Sequence, residues 1–264
     1  MDIASVLGLI IAVGGCLAGY MEEGGVIKGL LSLSSALIVL GATIGATFLS
    51  VPIKAIKEIP KLVKIVFFEQ RIDYAELIEQ ITELAGIARK EGILALESRT
   101  KEMKNKFLAN GLNMVIDGMD KESIQSIIEV EINAIATRHA RRAKIFEVAG
   151  GYCPTMGILG TVMSMISILK DLSDPGALGP KIAMAFTATL YGVGFANVLF
   201  LPMAEKLKSK AQDEMISLEM TMEGILSIQA GESPKIIKEK LLVFTNEARK
   251  SVAEEKKNGQ EEKA

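Results

Sequence analysis

Long apolar runs alternate with charged stretches along the chain, and this alternation lays out the elements. Ile3 to Met21 carries no charge over about the 20 residues a helix needs to cross a bilayer, with Asp2 ahead of it and Glu22 and Glu23 behind. No basic stretch precedes the run, so a cleaved signal peptide fits poorly. Gly29 to Val51 forms a second run, rich in Gly, Ala and Ser. Small residues let membrane helices pack closely, so this run is expected to face protein on at least one side. From Pro52 the pattern changes: Lys54, Lys57, Lys61 and Lys64 recur at helical spacing among Ile53, Ile56, Val63, Phe67 and Phe68. That is the pattern of a basic amphipathic helix at a membrane surface.

Two further segments, YAELIEQITELAGIARKEGILALESR and DKESIQSIIEVEINAIATRHARRAKIFEV, place apolar residues three and four apart, as at Ile124, Ile127, Ile128 and Ile135. They predict amphipathic helices with a turn-rich break at Asn110 to Asp120. Next comes an apolar hairpin from Tyr152 to Pro202, whose short polar connection holds Pro180, well placed to start a helix. Charge returns at Glu205, Lys206, Lys208 and Lys210, a Met-rich helix follows, and Ser233 with Pro234 supplies an N-cap and first turn. The last stretch, from about Val252, is charged and poor in apolar residues, as disordered tails are.

The expected fold is therefore all-α, a polytopic membrane protein with four transmembrane helices and a helical cytoplasmic domain. The segments are a transmembrane hairpin at 1–51, a cytoplasmic helical domain at 52–148, a second hairpin at 149–203, C-terminal helices at 204–251 and the tail at 252–264. Composition agrees: 49% hydrophobic, 5% aromatic and no Trp over 264 residues, with a mean hydropathy of +0.33. Thirty basic and 32 acidic residues give a net charge of −2, so no bulk imbalance suggests nucleic acid. Basic residues cluster after the second run, before the third and after the fourth, whereas the connections inside the hairpins are mixed or acidic. The positive-inside rule then puts the insert and both termini in the cytoplasm.

Chemistry is sparse. Cys16 and Cys153 lie in apolar runs and read as small buried thiols; His139, the only histidine, lies between Arg138 and Arg141, so no metal site is expected. No phosphate loop or nucleophile elbow is present, which leaves an enzyme reading and a cofactor without support. None of the four apolar runs holds Asp, Glu, Lys, Arg or His. A proton or ion relay normally needs an ionisable group at depth, so a partner would have to bring one. The hairpin does offer hydroxyls at Thr155, Thr161, Ser164, Ser167, Thr187 and Thr189, together with Tyr191 and Asn197. Pro154 and Pro202 free the carbonyls of Gly150 and Val198 if helical there. These hydroxyls either line a polar path or bond to their own backbone. Ala188, Gly192 and Ala196 form a small-residue strip beside Thr189 and Asn197. In the insert, Arg89 and Glu97 stand eight residues apart and fall on the same side of their helix. Generic periodicity makes that a solvated charged face.

The runs PTMGILGTVMSMI, DPGALGPKIAMAFTATLYGVGFANVLFLPMAEKL and SIQAGESPKIIKEKL resemble the flagellar stator branch of the MotA/TolQ/ExbB family, and the resemblance covers nearly the whole chain. It implies a stator subunit in the bacterial inner membrane, a pentamer around a dimer of MotB, whose aspartate binds the ion, expected to be a proton. It also implies that Pro154, Thr161, Thr189 and Pro202 form the ion pathway and its coupling, and that Arg89 and Glu97 engage the rotor protein FliG. Two rivals are a TolQ- or ExbB-like energy transducer of the envelope and a static membrane scaffold that binds a cytoplasmic partner.

Overall fold

The computed structural model describes residues 2–68, 72–170 and 175–244; the regular elements among these are all helices, with no strand. Among the described residues, four helices are long and apolar enough to cross a membrane: Ile3–Glu22, Ile27–Ser50, Lys121–Lys170 and Leu178–Gln229. The protein is thus an all-α, multi-pass membrane protein, and these four are called spans one to four below. The tail from 252 lies outside the described residues. Proximity groups the chain into two compact units, residues 1–70 with 138–209 and residues 71–137 with 210–264.

In the first unit, Asp2 caps span one by accepting the Ser5 amide at 3.1 Å. The Asp2 amide donates to the Phe67 carbonyl at 2.8 Å, and its carboxylate, almost fully buried, meets Lys206 Nζ at 2.7 Å. Burying a carboxylate this far is tolerable only because the ammonium and the amide compensate it. Span two buries Ser35, Val39, Thr43 and Thr47, a stripe at four-residue spacing, and exposes Leu37, Ile44 and Leu49. The run rich in small residues therefore faces protein on one side. It is not one regular helix: a 3₁₀ turn at Ile27–Leu30 leads to Leu33–Ala36, a π-helical turn at Leu37–Gly41 and then Ala42–Ser50.

The lysine-rich segment after span two forms two short helices, Ile53–Ile56 and Ile59–Phe67, rather than one. Pro60, in the first turn of the second, explains the restart, because a proline has no amide to continue a helix through that position. Leu62 and Val66 pack on Ala143, Phe146, Met203 and Leu207 while Lys54, Lys57, Lys61 and Lys64 stay exposed. Burying side chains of this size stabilises by about 1.5–3 kcal/mol each. Arg142 Nε adds an ion pair to Glu58 Oε2 at 2.6 Å. Pro180 lies inside the helix Pro175–Gly194 instead of starting it.

The second unit packs Leu77, Ile78, Ile81, Leu108, Leu112, Ile124, Ile128, Met220, Ile225 and Ile237 into one core. Two sequence expectations are corrected here. The segment from Asn110 is mostly helix, Lys106–Ile116, and Gly111 sits where a Cβ would strike the Ile225 side chain. That glycine permits close packing; the turn comes later, at Gly118 with φ +76°. The stretch expected to carry Arg89 and Glu97 on one helix is broken at Gly92 (φ +90°), so Tyr74–Glu91 ends before Leu96–Glu102 begins. Ser233 caps Pro234–Leu241 through the Ile236 amide at 3.4 Å, as its sequence position predicts.

Candidate functional site

Spans three and four meet where side chains are smallest. A Cβ on Gly157 would lie 3.0 Å from the Ala188 carbonyl and 3.1 Å from Gly192 Cα, and one on Gly192 would lie 2.8 Å from the Cys153 carbonyl. Ala188 and Ala196 are buried here with Cys153 and Val39. The strip Ala188, Gly192 and Ala196 is therefore a helix contact, and its closeness brings two hydroxyls together: Thr161 Oγ1 and Thr189 Oγ1 are 2.5 Å apart. Thr161 Oγ1 is also 3.1 Å from the carbonyl oxygens of both Gly157 and Ala185. A hydroxyl carries a single proton, so with Thr161 donating to a carbonyl, Thr189 donates to Thr161. Both threonines are half-buried, beside the exposed Ile158, Val162, Leu190 and Val193. No acidic or basic side chain lies between 149 and 169 or between 182 and 203.

The hydroxyls of the hairpin thus divide. Thr155 donates to the Tyr152 carbonyl at 2.7 Å and Thr187 to the Ala183 carbonyl at 2.8 Å, the backbone bonding common for threonine in apolar helices. Thr161 and Thr189 bridge the two spans instead. Asn197 is exposed, donates to the Val193 carbonyl at 2.9 Å, and is not brought to Thr189.

The prolines behave differently from one another. Pro154 is half-buried within the unbroken helix Lys121–Lys170. Pro202, exposed, follows a π-helical turn at Phe195–Phe200, where the Leu201 amide reaches back five residues to the Ala196 carbonyl. A proline cannot donate, and a widened turn ahead of it is a known way for a helix to absorb that loss. Gly150 sits against Leu201 and Phe200, so the helix segments bearing the two prolines adjoin.

Tyr191 is an addition that the sequence pattern did not assign. Its phenol donates to the Leu30 carbonyl at 2.6 Å and accepts the Ser32 amide at 3.1 Å, fastening span four to the irregular start of span two. Ser35 Oγ reinforces the contact by donating to the Met184 carbonyl at 3.2 Å. The available signal was chemical: a phenol in an apolar helix needs a polar partner for its hydroxyl.

In the second unit Arg89 is exposed in the last turn of Tyr74–Glu91. Glu97 is exposed in the first turn of Leu96–Glu102 and pairs with Lys101 at 2.9 Å. Leu94, on the connection between them, is 73% exposed.

Residues 99–220 match the family model described as the MotA/TolQ/ExbB proton channel family, and residues 6–92 match that described as Motility protein A N-terminal. The chain belongs to the MotA/TolQ/ExbB proton channel family. Motility protein A of Bacillus subtilis (strain 168) is 38% identical over 245 residues, 92% of this chain and 91% of that protein. Solved structures agree: a C. jejuni MotAB structure superposes with a TM-score of 0.89 at 36% identity over 93% of this chain and 96% of that one. The flagellar MotAB stator complex of Bacillus subtilis does so with a TM-score of 0.89 at 38% identity over 96% of this chain and 100% of that one. The chain is accordingly a stator-type ion-channel subunit and not an enzyme. Within the MotA/TolQ/ExbB match fall Pro154, Thr161, Thr189 and Pro202; Arg89 lies in the N-terminal match, and Glu97 in the short interval between the two.

Proposed function

We propose that the chain works with a MotB-type partner as the ring-forming subunit of a flagellar stator, conducting protons across the bacterial inner membrane and converting their flow into torque. The observation that carries this reading is the Thr161–Thr189 hydroxyl pair between two apolar stretches, 149–169 and 182–203, that hold no acidic or basic side chain. A titratable carrier must then come from outside the chain, and a carboxylate on a partner's membrane helix is the group that hydroxyls and carbonyls can serve in both of its states. Ionised, it accepts from a threonine hydroxyl; protonated, it donates to a hydroxyl or to a carbonyl such as that of Ala185. Exchanging one such weak contact for another lets the partner slip from copy to copy without a deep minimum. A pentamer around a MotB dimer suits that stepping, and the solved relatives titled MotAB support the MotB-type partner.

Pro154 and Pro202 are assigned the coupling of ion movement to the helix segments around them, Pro202 through its π-helical turn. The positive-inside pattern supports cytoplasmic termini and places the helical region between spans two and three on the same side. Arg89 and Glu97 are assigned the contact with the rotor protein FliG. Supporting this, both are exposed, and the exposed Glu97–Lys101 pair is worth only about 0.3–0.5 kcal/mol, easily exchanged for a rotor contact.

Co-expression with a MotB-type partner in cells lacking a stator tests the reading. Swimming is expected to return; a complex that assembles without restoring rotation overturns the motor assignment. Rotation speed is expected to hold when sodium is removed at constant membrane potential, and its collapse would reassign the ion.

A further inference from the structure

Ala4, Gly8 and Ala12 repeat every four residues along span one, yet they do not serve the close contact that Gly157 and Gly192 serve. A Cβ on Gly8 would meet nothing within 4 Å. Beside them lies a groove of about 370 Å³, within the range of about 300–1,000 Å³ typical of small-ligand sites. Phe67, Leu199, Met203, Pro202 and Asn197 also line it. Lys206 supplies the charged group of its lining. That ammonium gives one proton to the Asp2 carboxylate at 2.7 Å and has two more to offer, with its side chain 32% exposed.

We propose that this groove holds one acyl chain of a phospholipid from the lysine-rich leaflet, with the lipid phosphate on Lys206. The void flanks span one, which buries none of its residues, so it opens toward hydrocarbon rather than bulk water. A trough lined mainly by Ala, Gly, Leu, Val and Met residues gives water too few partners to stay, but it matches a lipid tail. Lys206 stands one turn beyond Pro202, at the end of the uncharged stretch, where a lysine reaches the headgroup layer and attracts phosphate. The four exposed lysines from Lys54 to Lys64 enrich the same leaflet edge in positive charge. A bound tail would separate span one from the π-helical turn ahead of Pro202, leaving that turn room to change shape.

The test uses the complex with its MotB-type partner, stripped of lipid in mild detergent, then given dioleoyl phosphatidylglycerol or dioleoylglycerol and weighed by native mass spectrometry. One phosphatidylglycerol per chain is expected to survive on the native protein, and dioleoylglycerol, with the same tails but no phosphate, is expected to be lost. Gly8→Leu fills the trough while improving helix propensity, so the complex should assemble and retain one lipid fewer per chain. The double change Asp2→Asn with Lys206→Gln, which leaves no lone buried charge, should weaken retention. Equal lipid retention by Gly8→Leu, or equal retention of dioleoylglycerol, overturns the proposal. So does a disulfide between Gly8→Cys in one copy and Val198→Cys in another, which would make a second copy the occupant.

Discussion

Thr189 shares its hydroxyl with Thr161 across two spans at 2.5 Å, whereas Thr187, two residues earlier, donates to the Ala183 carbonyl of its own helix. The same residue type thus has two roles within one turn. Thr161→Val and Thr189→Val keep the shape and remove the bridge, so each is expected to leave the complex assembled and to cut the rotation of tethered cells at least tenfold. Thr187→Val should rotate near normally. Equal losses from all three would reduce the bridge to ordinary packing.

Tyr191 lies two residues beyond Thr189, a turn of about 200° around a helix, and so fastens the far face of span four to Leu30 and Ser32. Tyr191→Phe leaves that carbonyl and amide without their partner, at a cost of about 1–3 kcal/mol. The expected result is a lower melting temperature for the purified complex, with torque reduced because span four loses its anchor. An unchanged melting curve would show that span two finds other partners.

Most of this arrangement was legible in the pattern of apolar runs, because crossing a bilayer imposes a length and a charge-free composition that nothing else in the chain mimics. The Thr161–Thr189 meeting was partly legible, since Ala188, Gly192 and Ala196 announced a close contact beside Thr189. Other features escaped for physical reasons. Gly92 and Gly111 look alike in sequence, yet one breaks a helix at φ +90° and the other clears space for Ile225. The π-helical turns at Leu37–Gly41 and Phe195–Phe200 add a residue to a helix without any compositional mark. Asp2 with Lys206 pairs residues 204 positions apart, which no local pattern reports.

Pro202 follows a π-helical turn at Phe195–Phe200, behind which the Leu201 amide bonds to the Ala196 carbonyl. Pro202→Ala restores an amide donor and lets the turn tighten to a regular α-helix. Helix stability should rise, yet rotation should stop, because the deformable turn is lost. Speed measurements on cells that insert the variant normally check this, and wild-type rotation would mean the turn is only a passive bend.

Arg89 and Glu97 now stand on separate helices across Gly92, so their spacing depends on that residue's left-handed backbone. Gly92→Ala should cost about 1–3 kcal/mol and move the two charges relative to one another. Charge reversal at Arg89 or Glu97 should weaken rotor engagement, with rescue by opposite reversal on the rotor protein. A double reversal that changes nothing returns the pair to a solvated face.

Lys240 binds Glu232 at 2.7 Å and Glu223 at 3.2 Å, tying the helix Pro234–Leu241 to the end of Leu201–Gln229. The hydrogen bond from Lys240 holds the Glu232 carboxyl below its usual range, and the bond to Glu232 raises the Lys240 ammonium. A depressed carboxyl contributes stability that is fully present above its unfolded value and is lost as pH falls through its folded one. The raised ammonium contributes at every pH below its unfolded value and loses its share only in strong alkali. The helix should therefore hold from neutral pH upward and loosen in acid, below the ordinary glutamate range. Because Lys240 is 40% exposed, solvent screening limits the effect to about 1 kcal/mol at most. Hydrogen exchange at Ile237 and Leu241 measures it directly: native protection should fall as pH drops through and below the ordinary glutamate value, and Glu232→Gln should start lower and lose much of that acid response. An acid response unchanged in Glu232→Gln would place the sensitive carboxyl elsewhere in the unit.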